Sequence, residues 1–521
     1  MASPLRTEGR AGARKATQKH LVCIGFMGAG KSTAARSASA ALHAEAIDVD
    51  RVVEQRLGKP IERIFSEDGE EAFRTAEEQV TLELLDGPAK RVLALGGGAV
   101  GHARVREALR DHLVVWLDID LETAWERCGA TARPLAQDRL RFERLYAERE
   151  PLYAALADAI IPASRSRDIA SALPALEGMP PAAKLIWAAT ASADYPAYIG
   201  PGVLRFWPPA VDGRRFLVTD GNVGRRYADA LEPLSGRVAI MPGEQSKTVA
   251  HAEIVWTELT RAGMTREDLI VALGGGVVGD LAGFCAATYQ RGVRYVQVPT
   301  SLVAQVDSAY GGKTGVDLAE AKNYVGAYHQ PAAVLADTDA LGSLPDSEIS
   351  SGYAEVLKTA LIAGGPLWEQ VRTGADPRSP DVISACALTK LRIVSLDERD
   401  AGIRQVLNLG HTVGHAIETV TGYARYSHGE AVALGLLAAL RLSGQDSLRE
   451  EVAELLSSHG LPTTLEQTDP DDVVFATARD KKRRGEGPVP FVLLDEPGAP
   501  RPGCEVEPRT LLRAVRELAA P

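Results

Sequence analysis

The sequence predicts an α/β chain in two consecutive halves, each built on a parallel sheet with helices on both faces, the second half ending in an all-α region. Three observations carry that expectation. Short apolar strand candidates alternate with helical stretches between about His20 and residue 170, the alternation restarts near Arg214, and beyond Pro345 the signals turn almost wholly helical. A chain of 521 residues exceeds what one core organises, so at least two domains are expected.

In chain order, residues 21–24 read as a short buried strand, a glycine-rich turn follows, and the Ala-rich run 32–43 reads as a helix. Further strands are expected at 92–95 and 113–117. An Ala- and Pro-rich stretch from 171 to 202 holds no phosphate or metal motif and reads as a linker. Strand candidates resume at 215–219, 237–240, 269–273 and 293–298. Residues 1–19 carry five basic side chains and no apolar run, which predicts a disordered tail rather than a secretory signal.

Composition narrows the function classes. No apolar run approaches the roughly 20 residues of a membrane span. The net charge of −11 disfavours a nucleic-acid partner, because phosphate backbones are held by clustered Lys and Arg. The five cysteines are scattered and never spaced Cys-x-x-Cys, which excludes a thiolate zinc cluster and a disulfide scaffold and fits a cytoplasmic enzyme. The dense basic run 481–484 reads either as a solvated turn or as an anion site.

In the first half, Gly25-Phe-Met-Gly28-Ala-Gly30-Lys31-Ser32 fits the Gly-x-x-x-x-Gly-Lys-Ser phosphate loop, after a strand and before a helix. Glycines let successive N–H groups face one concavity, the helix N-terminus adds positive potential, Lys31 reaches the β/γ phosphates, and the Ser32 hydroxyl is offered to Mg²⁺. Asp48-Val-Asp50 places two carboxylates on one side of a short extended segment, one for the magnesium water shell and one for an acceptor hydroxyl. With Ile64-Phe65, Gly69-Glu70, Phe73-Arg74, Gly96-Gly97-Gly98, Arg133-Pro134-Leu135 and Arg149-x-Pro-Leu-Tyr153, this half resembles shikimate kinase from about His20 to Ala163. The resemblance implies a P-loop kinase domain that binds ATP through Gly28, Gly30, Lys31, Ser32, Thr33 and Arg127, with Mg²⁺ at Ser32 and Asp48. It also implies Asp50, Arg74, Gly96, Gly97, Gly98 and Arg149 around shikimate, whose carboxylate needs an arginine fork, and a lid arginine at Arg133 that closes over ATP. Ser164-Arg165-Ser166-Arg167-Asp168 departs from the family's usual segment near adenine.

In the second half, His411 and His415 are four apart and share a helix face, and His428 arrives where another turn brings it back toward the same point. Glu355 supplies an oxygen ligand, and Lys358 lies three residues on, beside it on one helix. Gly274-Gly275-Gly276-Val277-Val-Gly279-Asp280 satisfies Gly-x-Gly-x-x-Gly after a strand candidate, but the ribose-binding acid of a Rossmann unit is missing about twenty residues on. These motifs, with Asp220-Gly-Asn222, Pro242-Gly-Glu244-Gln-Ser-Lys247, Pro299-Thr300-Ser301, Asp307-Ser308, Gly311-Gly-Lys313 and Lys322-Asn323, make the half from about Arg214 onward resemble 3-dehydroquinate synthase. The resemblance implies zinc, with cobalt as an alternative ion, on Glu355, His411 and His428. It implies NAD⁺ on Asp220, Asn222, Glu244, Lys247, Gly275, Gly276, Val277, Asp280, Thr300, Ser301, Asp307, Ser308, Lys322, Ser343 and Leu344. A phosphorylated sugar acid falls on Lys313, Asn323, Lys358, Lys390, Arg404, Asn408, His415 and on Lys481 and Lys482. Among these, Lys313, Lys358, Arg404 and His415, with Lys31 and Arg133 of the first half, are the expected catalytic groups. Asp400 stands where the family usually has Glu, and Ser343-Leu344 replaces Thr-Leu.

Together the resemblances imply a kinase domain at 20–170, a linker at 171–202, an NAD-binding α/β domain at 203–345 and a helical zinc- and substrate-binding domain at 346–521. The implied activities are ATP-dependent phosphorylation of shikimate, and conversion of 3-deoxy-arabino-heptulosonate 7-phosphate to 3-dehydroquinate and phosphate with NAD⁺ used catalytically. A homodimer through the synthase half is also implied. Three alternatives are weighed: another sugar-phosphate cyclase, disfavoured by Lys390, Arg404, Asn408 and His415; a kinase of another small acceptor, disfavoured by Asp50, Arg74 and Arg149; and a dead regulatory module, disfavoured by the intact phosphate-loop lysine and metal ligands.

Overall fold

A computed structural model describes residues 20–88, 90–129, 137–319, 321–477 and 489–519. It divides into two units, the first chiefly up to Ala189 and the second chiefly from Val211. In the first unit six parallel strands lie in the order Glu45–Asp48, Arg91–Ala94, Leu21–Ile24, Leu113–Asp118, Ala159–Pro162 and Lys184–Ala189. Leu21–Ile24 is buried on both faces, as its unbroken apolar run requires of a central parallel strand. Its last residue leads through the glycine turn into the helix Lys31–Leu42. Strand ends and helix starts therefore collect at one edge of this sheet, where ligands of open α/β sheets bind.

The second unit repeats the plan with five parallel strands in the order Ala333–Asp337, Arg294–Pro299, Leu269–Gly274, Arg215–Asp220 and Gly236–Ile240. Phe216, Val218, Ile270, Ala272, Leu281 and Tyr295 meet in its core, with the helix Gly276–Thr288 packed against the sheet. An antiparallel hairpin, Lys313–Leu318 with Ala321–Tyr328, follows. From Asp346 onward helices dominate, including Asp346–Ala363, Pro380–Leu396, His411–Val420 and His428–Leu442.

Three expectations are corrected. The stretch expected as a linker is ordered: Lys184–Ala189 pairs with Ala159–Pro162, and Asp194–Gly200 is a strand buried over most of its length. Its Ala and Pro residues do not prevent this, because the sequence between them supplies the apolar Leu185, Ile186, Trp187, Tyr195, Tyr198 and Ile199, all buried. The all-α reading beyond Pro345 misses the antiparallel pair Phe491–Leu494 and Pro500–Cys504, which is too short to carry a readable alternation. Asp48 and Asp50 do not share one extended segment: Asp48 ends a strand, while Asp50 sits in the first turn of the helix Val49–Leu57. Arg133, Lys481, Lys482 and the tail 1–19 lie outside the described residues.

No described helix is long and apolar enough to cross a membrane. The described cysteines form no disulfide, and burial pushes the Cys23 thiol up to about 12, far from a reactive thiolate.

Candidate functional sites

The first site forms around the glycine turn. Gly28 and Gly30 have φ of 81° and 84°, a left-handed geometry that a side chain would strain. Lys31 folds over the loop and donates to the carbonyls of Gly25 and Phe26, both at 3.0 Å. Arg127 donates to the Gly28 carbonyl at 3.1 Å. Ser166, from the segment that departs from the family pattern, lies against the same loop: a Cβ on Gly30 would come within 2.8 Å of its Oγ.

Facing this loop is a charged group that the topology assembles from four elements. Arg74 binds Glu77 at 2.6 Å and Glu70 at 3.2 Å along the helix Glu70–Leu85. A Cβ on Gly98 would stand 2.0 Å from an Arg74 nitrogen, and one on Gly96 would stand 2.1 Å from Glu77 and 2.7 Å from Asp50. Those glycines are required because side chains occupy the space a Cβ would take. Arg149 lies over the Phe26 ring, and its buried Nη1 has no hydrogen-bond partner among the described residues. Burial draws its guanidinium below the ordinary value. Tyr153 donates to the Gly97 carbonyl at 2.6 Å.

Glu77 was not singled out from the sequence. It is almost fully buried, and burial pushes its carboxyl up against the opposing pull of Arg74. Its spacing of three from Arg74 on one helix was the available signal.

In the second unit, the carboxylate of Glu355 faces two imidazoles: its Oε1 is 3.3 Å from His411 Nε2 and 3.2 Å from His428 Nε2. One ligand atom from each of the three lies within 4.8 Å of the others. One carboxylate and two nitrogens, leaving further positions open, suit a catalytic zinc-type ion. His411 accepts this geometry with its Nδ1 set 3.2 Å from the Leu409 carbonyl, which fixes which nitrogen faces Glu355. His428 begins its helix behind a capping box formed by Ser427 and Glu430. Partial burial disfavours charge on His428, but Glu355 and Glu418 outweigh it and raise the imidazole to about 10.

Cations and acids interlock beside these ligands. Lys358 binds the other Glu355 oxygen at 2.5 Å and reaches Asp307 at 3.5 Å. Lys390 binds Asp307 Oδ2 at 3.0 Å and its carbonyl at 2.7 Å. Despite burial, Lys358 and Lys390 hold the Asp307 carboxyl down at about 2. Burial brings Lys390 down to about 8, against the pull of Asp307. Lys313 pairs with Asp400, whose φ of 59° places it in the left-handed region. Arg404 is buried and donates to the carbonyls of Glu398 and Gly311 at 2.6 and 3.0 Å. Glu398 is itself held by Ser192 and by Gln330, the latter at 2.9 Å. Asn408 ends the turn Ile403–Asn408 that leads into the His411 helix. His415 is drawn in as well, its ring 5.3 Å from that of His411.

The dinucleotide expectation maps onto the start of the helix Gly276–Thr288. A Cβ on Gly275 would meet Ser301 Oγ at 3.2 Å, and one on Gly276 would meet Ser308 Oγ at 3.2 Å, so a side chain at either would crowd a serine hydroxyl. Lys247 is buried and binds Asp280 at 2.7 Å and Glu244 at 3.7 Å. Thr300 donates its N–H to Gly274 at 2.9 Å. Asp220 caps the turn at Asn222 and Val223, and Ser343 accepts from Tyr227 at 2.8 Å, next to Leu344. Val277 packs on the core below, while Lys322 binds Glu418 at 3.2 Å and Asn323 adopts a φ of 53°. Glu418 and Glu398 fall within the sequence segments around His411 and Arg404 but were assigned no role there, and Ser192 and Gln330 were not singled out.

Comparison with known proteins agrees with both geometries. The shikimate kinase family model matches residues 27–177. Models of the N-terminal and C-terminal parts of 3-dehydroquinate synthase match residues 237–351 and 352–483. The 3-dehydroquinate synthase of Acidithiobacillus ferrooxidans is 41% identical over 345 residues, covering 62% of this chain and 94% of that protein. The enzyme of the same name from Halorhodospira halophila is 43% identical over 335 residues, covering 60% and 93%. Among solved structures, 2-deoxy-scyllo-inosose synthase complexed with carbaglucose-6-phosphate, NAD⁺ and Co²⁺ matches with a TM-score of 0.58 and 25% identity, covering 64% of this chain and all of that one. With a shikimate kinase domain ahead of it, the chain belongs to the 3-dehydroquinate synthase family and is a shikimate-pathway enzyme with kinase and phosphate-eliminating synthase activities.

Proposed function

We propose that the first site transfers the γ-phosphoryl group of ATP, with Mg²⁺, to the 3-hydroxyl of shikimate, and that the second converts 3-deoxy-arabino-heptulosonate 7-phosphate to 3-dehydroquinate and phosphate. The observation that carries the second reading is the meeting of Glu355, His411 and His428 beside Lys358 and Lys390, with Lys313 and Arg404 supplying more positive charge than a neutral polyol needs. The 41% identity to synthases of that reaction supports it over the more distant cyclase.

In the kinase reading, the loop N–H groups, Lys31, Ser32 and Thr33 hold the phosphates, Arg127 borders the nucleotide, and Asp48 orders the water around magnesium. Asp50 holds the acceptor hydroxyl. Arg74 and Arg149 fork the carboxylate over Gly96, Gly97 and Gly98. Arg133 is assigned the lid role.

In the synthase reading, a zinc or cobalt ion held by Glu355, His411 and His428 would supply Lewis-acid polarisation of substrate hydroxyls, and NAD⁺ would supply reversible hydride chemistry. The chain's own residues hold both. Glu355, His411 and His428 take the ion. Lys247, Glu244, Asp280, Thr300, Ser301 and Lys322 line the dinucleotide, and Gly275 with Gly276 lets its pyrophosphate approach a helix N-terminus. Lys313, Asn323, Lys358, Lys390, Arg404, Asn408 and His415, with Lys481 and Lys482, bind the phosphorylated acid. The surplus of cations orients a dianionic phosphate for departure.

The test is product analysis of zinc-loaded protein with NAD⁺ and the heptulosonate, following phosphate and 3-dehydroquinate together. Equal release of both, lost on chelation, is the expected result. Turnover of a different sugar phosphate, with none of this one, would overturn the reading. A cytoplasmic homodimer belongs to the same proposal, and light scattering of the full chain checks the dimer.

A further inference from the structure

We propose that Glu418, to which the sequence reading gave no role, is a positioning residue that holds His428 in the orientation and tautomer needed to bind the ion. The inference rests on the metal reading of Glu355, His411 and His428. His428 presents Nε2 to Glu355 Oε1 at 3.2 Å, and its other nitrogen, Nδ1, faces Glu418 Oε2 at 3.6 Å. The side chain of Glu418 is buried, so its carboxylate is not a solvated surface charge that happens to lie nearby. Its remaining oxygen is 3.2 Å from Lys322 Nζ, and the Lys322 ammonium also lies 4.3 Å over the Tyr423 ring.

The physical consequence follows from the two ring nitrogens. A neutral imidazole carries one proton, and a carboxylate at Nδ1 keeps that proton there, which leaves the lone pair on Nε2 for a metal. His411 obtains the same result from the Leu409 carbonyl at its Nδ1. The two histidine ligands are thus oriented by acceptors of different strength, one a neutral backbone carbonyl and the other an ionised side chain. Both histidines open their helices, His411–Val420 and His428–Leu442, but His411 follows the buried Leu409 and Gly410, whereas His428 follows a run of exposed residues from Gly422 to Arg425 and has the greater need of a tether.

Glu418 also belongs to a second close group with His415 and His428, whose ligand atoms lie within 4.8 Å of one another. The Lys322 ammonium on the same carboxylate disfavours a cation there, since two positive charges would compete for one acid. The geometry therefore assigns Glu418 to the support of a ligand rather than to ligation.

The experiment is a competition titration of zinc against a calibrated chelator, on the metal-free full chain and on Glu418→Gln, Glu418→Asp and Glu355→Gln. Gln keeps the shape and an acceptor but removes the charge; supporting carboxylates of this kind typically contribute about 10- to 100-fold in metal affinity. Glu418→Gln is expected to weaken zinc by that factor, Glu418→Asp by less, and Glu355→Gln by far more. The visible absorption of the cobalt-loaded Glu418→Gln protein is expected to shift, which a role in packing alone would not cause. Thermal unfolding of the metal-free variants identifies any that fail to fold, and the Asp variant, which keeps the charge, then carries the comparison. Zinc affinity unchanged within about twofold in Glu418→Gln overturns the inference, as does a loss equal to that of Glu355→Gln, which would make Glu418 a ligand. If Glu355→Gln leaves zinc binding unaffected, the metal reading itself falls.

Discussion

The two sites differ in how the charges of their basic side chains are met. In the first unit the groups facing the phosphate loop include a buried arginine nitrogen on Arg149 and a buried Glu77 oxygen, each with no hydrogen-bond partner among the described residues. In the second unit Lys358, Lys390, Lys313, Lys247 and Lys322 each sit on a carboxylate. A buried polar atom without a partner costs stability until one meets it, whereas a preformed pair is stable alone and exchanges partners when a charged ligand enters; Asp400 and Arg404 in the second unit, and Glu77, which also pairs with Arg74, combine both situations. The comparison teaches that acidic partners in the second unit are as consequential as the cations.

The largest expected effects break the comparison outright. Lys31→Met should lower ATP-dependent phosphorylation of shikimate by about a thousandfold or more through loss of transition-state charge stabilisation, with the synthase rate unchanged. Glu355→Gln should do the reverse. Paired assays of both products on each variant check this; loss of both activities in either variant would show that the sites are coupled.

Next in size, Arg149→Lys should reduce kcat/KM for shikimate by about 10- to 100-fold, because a lysine cannot reproduce a planar fork and a charge-assisted bond contributes about 1.5–3 kcal/mol. Steady-state kinetics at varied shikimate would read it, and a thermal shift on adding shikimate should shrink in the same variant.

A smaller effect sharpens the second unit. Lys390, brought down by burial to about 8, should lose its charge as pH rises through that value, and kcat/KM for the sugar phosphate should fall with it. Stability moves the other way. Between about pH 8 and the ordinary lysine value near 10.4 the unfolded chain binds more protons than the folded one, so this residue's contribution to stability improves as pH rises. A pH profile lacking the alkaline limb, or one unchanged in Lys390→Arg, would contradict this. The smallest effect belongs to Asp400→Glu. The longer side chain restores the family's usual residue, but Asp tolerates the left-handed backbone here better than Glu does. Synthase KM should change by less than about threefold, with a slight loss of thermal stability.

What could be read from the sequence divides along the same line. The glycine turn and the histidine helix were legible because each compresses its chemistry into a few adjacent positions with a fixed period. The strand candidates were legible because parallel strands buried on both faces are unbroken apolar runs, as at Leu21–Ile24 and Leu269–Gly274. The roles of Glu418 and Glu398 were not legible, although both stand in segments the sequence marks, since their partners His428 and Ser192 lie 10 and 206 positions away. The strands within 171–202 were obscured by their Ala and Pro content, although alternate Tyr and Ile side chains there were the residues that burial uses.

The ordered stretch between Ala189 and Val211 has a consequence for how such a chain can be inherited and taken apart. Segments 190–195 and 203–207 belong with the second unit, while 196–202 and 208–210 belong with the first. Any single cut in this interval hands a piece of one unit to the other. Ser192, which holds the side chain of Glu398 while the Glu398 carbonyl accepts from Arg404, would be among the pieces lost from a second half begun at Val211. A synthase expressed alone from Thr190 is therefore expected to be more stable than one begun at Val211, and thermal unfolding of the two fragments would read the difference.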